Sequence, residues 1–160
     1  MLDPSSRFST TSLDFASLGE KMNATAIALL GYIGWTLFLI VAIELARVYL
    51  VVAKGYLATE FKPDGTDVSP FMHRLCLTHS NCVEHFPIFG GLLILALVTG
   101  QTAITDPLAL YFFGARLAQS VANLASFGAL AVNIRFMFFA IQLAIACIWF
   151  FNYFTTVLAA

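Results

Sequence analysis

Charge is scarce in this chain. Eight Lys and Arg and nine Asp and Glu amount to 11% of 160 residues, where a soluble domain carries about 25%. The net charge of -1 provides no basic face, so nucleic acid is excluded as a partner. No acidic tail suggests a charged protein partner either. Cysteine is equally sparse. Cys76, Cys82 and Cys147 have no CxxC spacing and an odd count, which excludes a disulfide framework and a zinc-ligand pattern. All three lie in apolar segments and read as small packing residues. His79 and His85 are spaced i,i+6, which does not aim both at one metal, so no metal site is expected. No phosphate loop, nucleophile elbow or Ser–His–Asp pattern appears. The segment from Met1 to Met22 lacks a basic stretch followed by an apolar core. It reads as a polar tail rather than a cleavable signal peptide. The sequon Asn23-Ala24-Thr25 is too short to carry weight.

Apolar residues are abundant, at 60% of the chain with a mean hydropathy of +0.87. Four stretches are long enough to span a bilayer, with helices predicted over about 24–57, 70–99, 107–132 and 134–157. Ser69-Pro70 and Asp106-Pro107 each place a capping residue before a proline at a first helical position, and Asn133 is a candidate cap for the fourth helix. Pro63, Asp64 and Gly65 mark the one substantial loop, Lys54 to Ser69. The other links are short, so sequential helices are antiparallel neighbours in one domain. The expected fold is all-α, an integral membrane four-helix up-down bundle. Arg7 and Lys21 stand on the tail side, against Lys54, Lys62, Arg74 and Arg135 on the other. That bias predicts termini outside or in a lumen and a cytoplasmic first loop, with Trp149 and Tyr153 in an outer aromatic belt.

Ionisable groups inside spanning segments are costly and face inward as a rule. Here they are Glu44, Arg47, Glu84 and Arg116. Their distances from the expected cytoplasmic helix ends, roughly 15 to 24 Å, overlap. One shared polar cluster is therefore possible, with a Glu84–Arg116 contact neutralising both charges. Glu44 and Arg47 can pair within their own helix. Asn81 and Glu84 have the same i,i+3 spacing and are expected on one face. Two readings stay open: structural ion pairs that fix helix register, or a binding site.

The run from His79 to Phe89, with Asn81, Glu84, Phe86, Pro87 and Phe89 after an upstream Arg74, resembles the signature of the MAPEG superfamily, membrane-associated proteins in eicosanoid and glutathione metabolism. Gly114-Ala115-Arg116 and Arg135 resemble the family's third helix and fourth-helix start. The resemblance implies a homotrimer that binds glutathione as cosubstrate between subunits, with Asn81, Glu84, Arg116, Arg135 and Arg74 contributing. It implies glutathione transfer or peroxidase chemistry on lipophilic electrophiles or lipid hydroperoxides, drawn from the surrounding membrane lipids. The sequence departs from the family's enzymes at Leu77, Ser80, Gln119, Asn123 and Phe136, where they carry arginines, tyrosines or an activating residue. Tyr49 and Tyr56 are the candidate replacements for a thiol-activating hydroxyl. The alternative is a non-enzymatic lipid-binding or accessory subunit resembling the five-lipoxygenase-activating protein. A transporter is a third reading, weakened by the lack of paired interrupted helices.

Overall fold

The computed structural model describes residues 23–126 and 128–158. Four long helices account for most of them: α1 (Ala24–Lys54), α2 (Pro70–Thr99), α3 (Asp106–Ala125) and α4 (Ala129–Leu158). A short 3₁₀ turn, Thr102–Ile104, joins α2 to α3. The polar tail, with Arg7 and Lys21, lies outside the described residues. α1, α2 and α4 are each long and apolar enough to cross a membrane. α3 falls short of that measure. Its 20 residues rise about 30 Å, but they include Arg116, Gln119, Ser120 and Asn123. All four are buried within the bundle, so the helix is polar because its inner face is.

Start and stop residues set the ends. The Asn23 side chain accepts from Ala26 N at 2.9 Å, and Ser69 Oγ accepts from Met72 N at 3.0 Å. Gly55 (φ 72°) and Gly100 (φ 69°) end α1 and α2 in the left-handed conformation that favours glycine. α1 therefore stops at Lys54, short of the expected 57. At the third connection the expectation was further off. Ser126 is extended (φ -159°, ψ 158°) and ends α3 at Ala125, well before 132. α4 then starts at Ala129 rather than 134, which leaves Asn133 inside the helix and not at its cap. Hydropathy shows that residues 126–134 are apolar; it does not show which helix owns them.

Asp106 also differs from its expected role. It is the first residue of α3, and its carboxylate turns to α1, accepting from Thr25 N at 2.9 Å and Thr25 Oγ1 at 2.6 Å. Alternate helices of an up-down bundle begin at the same end. The positive end of the α1 dipole thus stands beside the carboxylate. Thr25 is fully buried there and also meets the Thr105 hydroxyl at 2.7 Å. Asp106→Ala should cost about 2 kcal/mol, the loss of a charge-assisted cap. A lowered unfolding midpoint in detergent would show it; an unchanged midpoint would mean the staple carries no stability.

The first loop folds back along the helices. Gly65 (φ 67°) is packed so closely on α2 that a Cβ would lie 2.9 Å from Met72 Cγ and 3.0 Å from Cys76 Sγ. Asp64 accepts from Thr66 N and Oγ1, bonds that hold its carboxyl below the usual carboxylate range. The Asp64 carbonyl accepts from His73 Nδ1 at 2.8 Å. The inner faces of the helices meet around Tyr32, Leu39, Phe89, Phe112 and Trp149. Trp149 and Tyr153 are buried in this interior, not arrayed in an outer belt. The outward faces of the bundle are apolar and exposed, as a lipid environment requires.

Candidate functional site

α3 turns Phe112, Arg116, Gln119, Ser120 and Asn123 inward at helical spacing. The Arg116 guanidinium is held between two rings, 5.1 Å from the Tyr32 centroid and 5.3 Å from that of Phe89. Its residue is 1% exposed, yet Nε and Nη2 have no hydrogen-bond partner. The Tyr32 hydroxyl gives no relief, since it donates to the Cys82 carbonyl at 2.8 Å. Buried polar groups are normally paired, so these two donors are unusual.

About two turns along α3, nearer the first-loop end, a ladder of side chains ties three helices together. Arg135 Nη1 donates to Asn123 Oδ1 at 2.5 Å, Asn123 Nδ2 donates to Thr78 Oγ1 at 2.7 Å, and Thr78 Oγ1 donates to the Arg74 carbonyl. Gln142 on α4 donates to Gln119 at 3.0 Å. Arg74 Nε donates to the Leu124 carbonyl at 2.8 Å, which braces α2 against the end of α3. Between these rungs lies a small cavity of about 10 Å³, lined by Thr78, Asn81, Arg116, Gln119, Ser120, Asn123 and Arg135. That is room for about one water. Asn81, Gln119 and Arg135 also line an open groove of about 220 Å³, completed by His85, Val132, Phe136 and Phe139. The cavity and the groove share Asn81, Gln119 and Arg135.

The structure therefore joins Asn81, Arg116 and Arg135, three of the five expected residues. Arg74 braces the helices beside them. Glu84 is elsewhere: it is exposed on the outer side of α2, and the expected Glu84–Arg116 contact does not form. The reason is angular. Asn81 and Glu84, at i,i+3, differ by about 60° around the helix. Cys82 and Phe89 define the buried face; Asn81 sits at its edge and Glu84 beyond it. Nor do the four membrane charges form one cluster. Among the described residues the ion pair seen is Glu44–Arg47, at 3.1 Å. The returning loop brings the Lys62 carbonyl to 3.4 Å from Arg47 Nη2 and the Phe61 ring beneath it, so this pair belongs to the polar loop.

Tyr49 is exposed on α1, and Tyr56 is exposed in the loop, stacked on Phe61; neither lines the groove. Tyr32, Thr78 and Gln142 went unnoticed in the sequence because single polar residues in apolar runs carry no spacing signal. Cys76 and Cys82 pack inside as expected, but Cys147 is exposed in a groove between α2 and α4. A further groove of about 460 Å³ lies between α1 and α2, lined by Ile33, Thr36, Leu37, Ile40, Val83, Phe86 and Pro87.

Helices that bury cationic side chains while showing lipid an apolar exterior define a polytopic membrane protein. The chain belongs to the MAPEG family, whose model matches residues 25–154. No curated protein and no solved structure matched it.

Proposed function

We propose that the protein is a glutathione-dependent transferase or peroxidase acting on lipophilic electrophiles or lipid hydroperoxides, assembled as a homotrimer. The observation that carries this reading is the buried Arg116 guanidinium, with two unsatisfied donors above a cavity that has no carboxylate in its lining. Such a site favours an anion. Glutathione offers two carboxylates and, on activation, a thiolate, which a nearby cation stabilises. Glu84, on the outer side of its own chain, suits the γ-glutamyl ammonium of a tripeptide seated between copies. The apolar groove between α1 and α2 suits the second substrate, arriving laterally from lipid. The charge bias of the sequence supports a site toward the cytoplasmic side, with the termini opposite.

Calorimetry on the purified protein in detergent tests the reading. Saturable glutathione binding in the millimolar range or tighter is expected. No binding at millimolar glutathione would exclude it.

A second reading, a non-enzymatic lipid-binding or accessory subunit, is favoured by a separate observation. Gln119 and Asn123, at helix-three positions where the enzymes resembled carry tyrosines, are committed to Gln142, Thr78 and Arg135. That reading predicts co-purifying lipid and no turnover with chlorodinitrobenzene or cumene hydroperoxide.

A further inference from the structure

His85 projects into the groove from α2, beside Arg135 and Gln119. Its Nδ1 lies 2.6 Å from the Asn81 carbonyl. A carbonyl only accepts, so Nδ1 carries the hydrogen and the neutral ring presents a bare lone pair at Nε2. The ring plane is fixed by Phe139, 4.9 Å away between centroids, and by Phe89 at 5.9 Å. Among the described residues Nε2 has no partner. The groove therefore carries an oriented proton acceptor together with hydrogen-bond donors from Asn81, Gln119 and Arg135.

Arg135 from α4 faces the groove, and Arg116 from α3 lines the small cavity that shares Asn81, Gln119 and Arg135 with it. On α2, the neighbouring Glu84 lies outside the groove's lining. No carboxylate of this chain lines the groove, so the counter-ion of an imidazolium there is an anion brought by the ligand. A thiolate formed in place is such an anion.

We propose that His85 is the general base that takes the thiol proton of glutathione in this groove; the proposal rests on the glutathione reading above. The S–H bond breaks, its proton forms the new N–H at Nε2, and both bonding electrons remain on sulfur. Arg135, on the groove wall, holds the sulfur anion. The thiolate then attacks the electrophile, the leaving group departs with its electron pair, and the imidazolium returns its proton to it. His85 ends each cycle neutral. A histidine that merely packs against Phe139 would do none of this.

Proton counting on the unaltered full-length protein tests the step. At about pH 8, where a free imidazole is neutral, glutathione is titrated in two buffers of different ionisation heat while ultraviolet absorbance follows the thiolate. The expected result is a thiolate signal with no net proton release, because the proton stays on His85. One proton released to buffer per bound thiolate would overturn the proposal and leave the glutathione reading standing. No glutathione binding in the unaltered protein would bring down both. His85→Gln gives the second measurement. Glutathione binding should change by less than about threefold, whereas kcat/KM near neutral pH should fall by about 100-fold or more, with a changed pH–rate profile. Unaltered rates and profile in His85→Gln would also overturn it.

Discussion

Replacing Arg116 by Met should stabilise the ligand-free protein while removing its ability to bind the anion. The guanidinium is buried with two donors unsatisfied. Substituting an apolar side chain of similar length for a poorly compensated buried charge gains about 1–4 kcal/mol in comparable cases. The stacking on Tyr32 and Phe89, up to about 2 kcal/mol when desolvated, works against that gain. It does not cancel it, because a methionine keeps favourable contacts with both rings. Binding should move the other way. A charged hydrogen bond is worth about 1.5–3 kcal/mol, so affinity for glutathione should fall roughly 10- to 150-fold. Chemical unfolding in detergent and calorimetry on the same sample measure both. Loss of stability together with loss of binding would mark Arg116 as structural.

Glu84→Gln should show the complementary pattern: little change in the stability of the single chain and a large change in recognition. Glu84 stands midway along α2, between Pro70 and Thr99. A carboxylate at that depth costs about 2.5–3.5 kcal/mol by insertion measurements, and no group of its own chain offsets it among the described residues. Under the proposed reading its partner is the ammonium of the bound tripeptide. The unaltered protein should therefore prefer glutathione to N-acetylated glutathione by about 10- to 150-fold. Glu84→Gln should bind the two alike. If the variant keeps the full preference, the ammonium is held elsewhere.

The motif Asn81-x-x-Glu84, the cap at Ser69, and the positions of Arg116 and Arg135 were legible in the sequence. A cap is short-range chemistry, and the motif is a pattern of residue types. The partners of those residues were not legible. Charge neutrality suggested Glu84 for Arg116, but neutrality is indifferent to angle, and a modest rotation around the helix separates an inward from an outward side chain. The Arg135–Asn123–Thr78 ladder joins three helices through residues far apart in the chain, which no local period encodes. Asp106 looked like a cap and is one, but for α1 rather than for its own helix. In the sequence His85 stands out only by its i,i+6 spacing to His79, which does not suit a metal. Its hydrogen bond to Asn81 is local and was predictable; its place on the groove with Arg135 depends on how α4 crosses α2.

The attachment of α1 is lopsided. Asp106 fastens its first turn, and the Tyr32 hydroxyl reaches Cys82 two turns later. Beyond that, Arg47 bonds to the first loop. α1 is thus fixed by polar bonds toward the chain's amino end and by apolar packing of Leu39 and Ile43 toward its first-loop edge. A small outward swing of that edge would widen the crevice between Ile40 and Phe86 without disturbing the Arg135 ladder. Under the proposed reading, the apolar guest and the polar one would then enter at separate grooves of the bundle.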